Sequence, residues 1–288
     1  MRDVPGRRIS LGGNEIYLEE AGSGETLVVF ESGSGAGRTL WDAVVPLLSD
    51  VARTVAYDRA GRGRSGPVAP QSIDDMAATL TALIDDLAPS RVVLVGHSMG
   101  GLIVRRAAER LSIRPAGLVL VDPTPETAPC YDDWTPTARK TDRILAVQQL
   151  LAHSRPLMRL LTRSYGRMFP ADTYATMLAE DFTPAGIART RHEVRAVAAA
   201  LGEFRARPPR LPDCGVVVIS ARRANRFQSR NLATLREHQR RYAEQVGGRF
   251  EDADSEHIIP AERPEQVAAA VRGLVLSAVR GPNPPPTR

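Results

Sequence analysis

The sequence has few of the residues that would mark a stapled, metal-bound or membrane-spanning chain. Its 288 residues include two cysteines, Cys130 and Cys214. They are too few and too far apart for a disulfide framework and lack the spacing of metal ligands with the histidines, so both read as free thiols. Aromatic residues make up only 5%. No window approaches the roughly 18 consecutive apolar residues of a transmembrane helix. The opening Met1-Arg2-Asp3-Val4-Pro5 has no apolar stretch resembling a signal peptide. A cytoplasmic location is therefore expected. A dense block of one charge is also missing: the formal charge is +5, but the arginines are scattered along the chain. They read as solvated surface, and without a basic face or recognisable module a nucleic-acid partner is not expected.

What remains is ordinary globular composition, 43% hydrophobic and 25% charged, on a length that suits one large α/β core with an insertion. Arg8 to Leu11 and Glu15 to Leu18 alternate apolar and polar residues across Gly12-Gly13-Asn14, which predicts an opening β-hairpin. Short apolar runs follow at Leu27–Phe30, Arg53–Tyr57, Arg91–Val95, Gly117–Val121, Val216–Ile219 and Arg249–Asp252. Most are separated by helical patterns, so a mostly parallel sheet covered on both faces is expected. Leu40, Trp41, Val44, Val45 and Leu48 form one helical stripe, and Met76, Leu80, Leu83, Ile84 and Leu87 another. The second is opened by Ser72-Ile73-Asp74-Asp75 as a capping box and stopped before Pro89.

Between Asp122 and Val216 no convincing strand is present, and helices are expected at about 137–153, 155–167, 171–181 and 185–204, with a break at Pro156. The division is then a core of 1–122 and 213–280, a helical cap of 123–212, and a Pro-rich tail, 281–288, expected to be disordered. A final helix is expected from about Pro264 to Val279.

Gly96-His97-Ser98-Met99-Gly100, followed by Gly101, lies between the run Arg91–Val95 and a stripe of Met99, Leu102, Ile103, Ala107 and Leu111. Ser98 therefore occupies a strand-to-helix turn. Such a turn strains its central residue and requires neighbours without side chains, which the glycines meet. The helix N-terminus behind the serine favours the negative charge that develops in acyl transfer. A serine hydroxyl needs a base, and of five histidines His257 fits best. It follows the last strand and precedes the final helix. His97 would point elsewhere from the turn, His153 and His192 lie in the insertion, and His238 lies in a charged helical stretch.

The chain order Ser, acid, His requires a carboxylate between Ser98 and His257 at a strand tip. After Val216–Ile219 the sequence Ser220-Ala221-Arg222-Arg223-Ala224-Asn225 offers none. After Gly117–Val121, Asp122-Pro123 does, so Asp122 is the expected acid. The oxyanion donors are expected to be the backbone N–H groups of Met99 and of Ser34, the latter in the loop Glu31-Ser32-Gly33-Ser34-Gly35-Ala36-Gly37. No Gly-Lys-Ser/Thr follows that loop, which excludes a P-loop.

These motifs resemble the α/β-hydrolase superfamily, in its esterase-like serine hydrolase branch with a helical cap. The likeness rests on Gly96 to Gly101, on Tyr57-Asp58-Arg59-Ala60-Gly61-Arg62-Gly63-Arg64-Ser65, and on His257 with Ile258, Ile259 and Pro260. It implies a mostly parallel sheet of about eight strands, and a structural rather than catalytic role for Asp58 to Ser65. Two departures stand out. Ser32-Gly33 replaces the family's frequent His-Gly, and the acid sits after the sixth strand instead of the seventh, as in some haloalkane dehalogenases. Those enzymes and the epoxide hydrolases of the fold use an aspartate nucleophile, against which Ser98 argues. The expected activity is hydrolysis of a carboxylic ester or lactone, without metal or cofactor, on an apolar small molecule. Leu150, Leu151, Leu157, Met158, Leu160 and Leu161 would line an acyl site or pack the cap. Arg155, Arg159 and Arg163 form a basic amphipathic pattern, but membrane contact is not expected. Carbon–carbon cleavage of a diketone-like substrate, or a receptor with vestigial catalysis, are the alternatives.

Overall fold

Apolar runs without alternation belong in strands covered on both faces, and here they form the middle of one sheet. The structure, a computed structural model, describes residues 6–224 and 230–280. Its strands are β1 (Gly6–Leu11), β2 (Asn14–Ala21), β3 (Thr26–Glu31), β4 (Arg53–Asp58), β5 (Arg91–His97), β6 (Gly117–Val121), β7 (Gly215–Ala221) and β8 (Arg249–Ala253). They lie in the order β1-β2-β4-β3-β5-β6-β7-β8. The β1–β2 hairpin and the β2–β4 pair are antiparallel, and all pairs from β4 to β8 are parallel.

The period of two divides the side chains between two cores. Leu27, Val29, Val92, Leu94, Leu118, Leu120 and Val218 face one, beneath α1 (Ile73–Leu87) and α2 (Met99–Arg110). Val28, Phe30, Val93, Val95, Val119, Val121 and Ile219 face the other, beneath α10 (Pro264–Arg280) and the segment 38–48. The capping box of α1 is present: the Ser72 hydroxyl accepts from the Asp75 amide at 3.1 Å, and Asp75 accepts from the Ser72 amide at 2.9 Å.

Segment 38–48 departs from expectation. It forms two 3₁₀ turns, Arg38–Trp41 and Val45–Leu48, in place of one amphipathic helix. Pro46 has no N–H to donate back to the preceding turn, so a continuous α-helix cannot run through it. All five apolar side chains are nevertheless buried.

Between β6 and β7 the chain forms α3 (Trp134–Leu151), α4 (Arg155–Leu161), α5 (Tyr165–Met168), α6 (Ala171–Glu180) and α7 (Pro184–Ala206), and no strand. The helix expected over 155–167 is split. The Thr162 hydroxyl bonds the Met158 carbonyl at 2.6 Å and meets the Tyr174 hydroxyl at 2.9 Å, so it competes with the backbone where the chain turns out of helix. The leucines divide as well. Met158 is buried, but Leu150, Leu160 and Leu161 are exposed and do not pack the insertion's core. After β7 come α8 (Leu232–Gln245) and α9 (Ile259–Glu262). Residues 281–288 and Asn225 lie outside the described residues. Among those described, no helix is long and apolar enough to cross a membrane.

The arginines require a correction. Arg38, Arg59, Arg62, Arg105, Arg106 and Arg189 are buried, not solvated. Three of them tie the core to the insertion. Arg38 pairs with Asp58 at 2.7 Å and with Glu180 at 2.6 Å. Arg59 pairs with Glu31 at 2.5 Å and Glu193 at 2.9 Å, and Arg62 with Glu193 at 2.8 Å and Asp181 at 3.1 Å. Charges taken from water require such partners, which composition alone does not reveal.

Candidate active site

Ser98 sits between β5 and α2 with φ 54° and ψ −119°, a strained conformation for a residue with a side chain. Its amide donates to the Val121 carbonyl at 3.0 Å, which ties the turn to β6. The close crossing of strand and helix needs glycine: a Cβ at Gly96 would lie 2.6 Å from the Gly100 carbonyl oxygen. Asp122, directly after β6, also has a positive φ, 42°, and its amide donates to the Ile219 carbonyl at 2.7 Å. Aspartate tolerates this region better than most residues.

The structure brings Asp122 and His257 together. Asp122 is buried, and its Oδ2 lies 2.6 Å from His257 Nδ1. With the carboxylate ionised, Nδ1 carries the proton and Nε2 is left as the basic nitrogen. Burial alone would raise the Asp122 carboxyl. The hydrogen bond and charge of His257, then the donors Gln239 and Ala221, outweigh burial and hold its pKa below the usual carboxylate range. Those donors reach Oδ1, Gln239 Nε2 at 3.1 Å and the Ala221 amide at 3.3 Å.

The loop after β3 comes up against the nucleophile turn. A Cβ at Gly33 would lie 2.8 Å from His97 Nδ1 and 3.1 Å from Ser98 Cβ, so only glycine fits this approach. Ser34 and Met99 are neighbours, the Ser34 hydroxyl 3.1 Å from Met99 Sδ. The Gly35 amide is taken by Glu193 Oε2 at 2.9 Å, which anchors the loop to α7. Ser32, in place of the family's frequent histidine, accepts from Trp41 Nε1 at 2.9 Å and donates to the Gly37 carbonyl at 2.8 Å. The loop is thus closed on itself by a hydroxyl.

His97 does not point away from the site. Its Nε2 donates to the His257 carbonyl at 2.9 Å, and the two rings are 4.7 Å apart. Alternation along β5 explains this: His97 follows Val93 and Val95 onto the face where Ile258 and Ile259 also pack. Burial, then the neighbouring His257, lowers its pKa to about 3, so it stays neutral. The sequence reading also passed over Gln239. Leu235, Gln239 and Ala243 are the buried positions of α8, one residue per turn, so a glutamine on an otherwise apolar stripe was the available signal. A cleft of about 1170 Å³ lies behind Gln239, bordered by Pro123, Arg105, Arg106, Phe204 and Tyr242; Ser98 and His257 are not among its described lining.

A family model described as the alpha/beta hydrolase family matches residues 28–270. The chain belongs to that family. Among curated relatives, the pimeloyl-[acyl-carrier protein] methyl ester esterase of Klebsiella pneumoniae (strain 342) is 32% identical over 121 residues, 42% of this chain and 45% of that one. The chain thus spans less than half the length of the curated relatives it matches first. Whole-chain likeness comes from structures. The enol-lactonase of Burkholderia xenovorans LB400 superposes with a TM-score of 0.69 at 22% identity, covering 94% of this chain and all of that one. A thermophilic esterase of Thermogutta terrifontis gives 0.67 at 21%, covering 95% and 99%. At these identities the structures establish the fold alone.

Proposed function

We propose that this hydrolase cleaves a carboxylic ester or lactone through an acyl-enzyme, with Ser98 as nucleophile, His257 as base and Asp122 as the acid that orients it. The 2.6 Å bond between His257 Nδ1 and Asp122 Oδ2 carries the reading, because it leaves Nε2 to take a proton at the sheet edge where Ser98 is displayed. His257 removes the Ser98 proton as Oγ attacks the carbonyl. The amides of Met99 and Ser34 receive the oxyanion, with the α2 N-terminus adding its partial positive charge. The imidazolium then protonates the leaving group. Water, activated by the same His257, releases the acid.

The curated relative named for methyl ester hydrolysis supports this class. The insertion between β6 and β7 would act as a cap that shapes the acyl pocket, on an apolar small molecule in the cytoplasm. The test is a hydrolysis screen over esters of graded acyl length, lactones and diketones, joined to labelling with a fluorophosphonate. Ester or lactone turnover with labelling at Ser98 is expected. Cleavage of diketones alone, or absence of both labelling and turnover, would overturn the assignment.

A further inference from the structure

The strand tip after β7, which carries no acid in this chain, is occupied by a relay of donors. Ser220 and Ala221 end β7 and are fully buried. Ser220 Oγ donates to Gln239 Oε1 at 2.6 Å, and Gln239 Nε2 donates to both Asp122 Oδ1, at 3.1 Å, and the Pro123 carbonyl, at 2.8 Å. We infer that Gln239 is a positioning residue for the reaction: it fixes the rotation of the Asp122 carboxylate so that Oδ2 is presented to His257. This inference rests on the catalytic reading given above.

The direction of every link is forced. Nε2 faces a carboxylate and a carbonyl, both acceptors, so a flipped amide would set its oxygen against two acceptors. Arg236 Nη1 lies 3.2 Å from Ser220 Oγ and can only donate, which leaves the single Ser220 proton for Gln239 Oε1. Arg236 is itself held by the Ala221 carbonyl at 2.7 Å and Asp252 at 2.5 Å. Donors therefore run from Arg236 through Ser220 and Gln239 to Asp122, which also accepts from His257. With Asp122 only 4% exposed, water cannot replace these partners, and a buried charge without donors is costly. The Asp122 oxygen that does not meet His257 is held from behind by the Ala221 amide at 3.3 Å and, from α8, by Gln239 at 3.1 Å.

The test compares kcat, KM and the pH profile of kcat/KM on an ester for wild type, Gln239→Met, Gln239→Glu and Ser220→Ala, with Asp122→Asn and Ser98→Ala in parallel. Gln239→Met keeps the volume but removes the donor, and kcat should fall about 10- to 100-fold with KM nearly unchanged. Gln239→Glu places a second carboxylate beside Asp122, favouring imidazolium at His257, and the acid limb should move about one pH unit upward. Ser220→Ala should shift both quantities in the same direction by less, and covers the case in which the Gln239 variants do not fold. If Asp122→Asn and Ser98→Ala are inactive while all three variants keep the wild-type kcat and acid limb, the inference is overturned and the catalytic reading stands. If Ser98→Ala is fully active, both fall.

Discussion

Behind Ser98, the buried carboxylate of Asp122 is surrounded by neutral donors and one imidazole. Between the core and the insertion, Arg38, Arg59 and Arg62 are buried against Glu31, Asp58, Asp181 and Glu193. The first cluster gathers Asp122 after β6, Ala221 at the end of β7, Gln239 of α8 and His257 after β8 around one carboxylate. The second joins charged side chains across two parts of the fold: Arg59 and Arg62 meet Glu193 and Asp181 only once the insertion has docked, while Arg38–Asp58 and Arg59–Glu31 form within the core. The difference teaches what each is for. A lone charge with directional neutral donors can orient an imidazole, whereas mutually compensating ions hold two parts of the fold in register and tolerate little deletion.

Breaking the first cluster should have the largest effect, and on chemistry. Asp122→Asn keeps the shape but disturbs the tautomer of His257, so ester turnover should fall by about 10⁴-fold with the circular dichroism unchanged. Breaking the second should act on stability. Glu193→Gln leaves Arg59 and Arg62 under-compensated, and urea unfolding should show a loss of about 3–5 kcal/mol. Since Glu193 also holds the Gly35 amide, turnover should fall too, but far less than for Asp122→Asn.

Acid sharpens the comparison further. His97 is held neutral down to about 3 in the folded chain, against 6.5 for an unconstrained imidazole. The unfolded chain therefore binds the extra proton first, and stability is lost as pH falls from about 6.5 toward 3. Glu193, lowered from 4.5 to about 2 where Arg59 and Arg62 outweigh its burial, adds a loss of the same sign over that lower window. Asp181 runs the other way. Burial raises it to about 6 against the Arg62 charge, so on its own it lowers stability as pH rises from 3.8 to about 6. A melting-temperature profile of His97→Asn should lose the part of the acid slope that begins near 6.5. An unchanged slope would remove His97 from the account.

How much of this was readable depends on the range of each signal. The strands, α1 with its cap, and the strand-to-helix turn at Ser98 are written in neighbouring residues and were legible. Asp122 and His257 were legible because strand tips on one edge of a parallel sheet converge. The 3₁₀ turns at 38–48 were not legible in the helical spacing of their apolar residues, which persists although Pro46 breaks the helix. The ion cluster could not be read, because Arg62 and Glu193 are 131 residues apart and nothing local pairs them. Gln239 was masked by its charged helix, although its phase with Leu235 and Ala243 marked it as buried.

The smallest expected effect is a control on the second cluster. Asp142 binds Arg191 and Arg195 on the insertion at 2.9 Å, the same chemistry only half-buried. Asp142→Asn should cost under about 1 kcal/mol in the same urea titration, and less in high salt. A loss equal to that of Glu193→Gln would show that burial is not what distinguishes the core–insertion ions.

The central claim is that Ser98 is the nucleophile and that the Asp122–His257 pair serves it. It is tested most directly by the steady-state hydrolysis rate of a short-chain ester by Ser98→Ala against wild type at pH 7. The account predicts a loss of about 10⁴-fold or more in a variant that remains folded. Turnover by Ser98→Ala at the wild-type rate would contradict it.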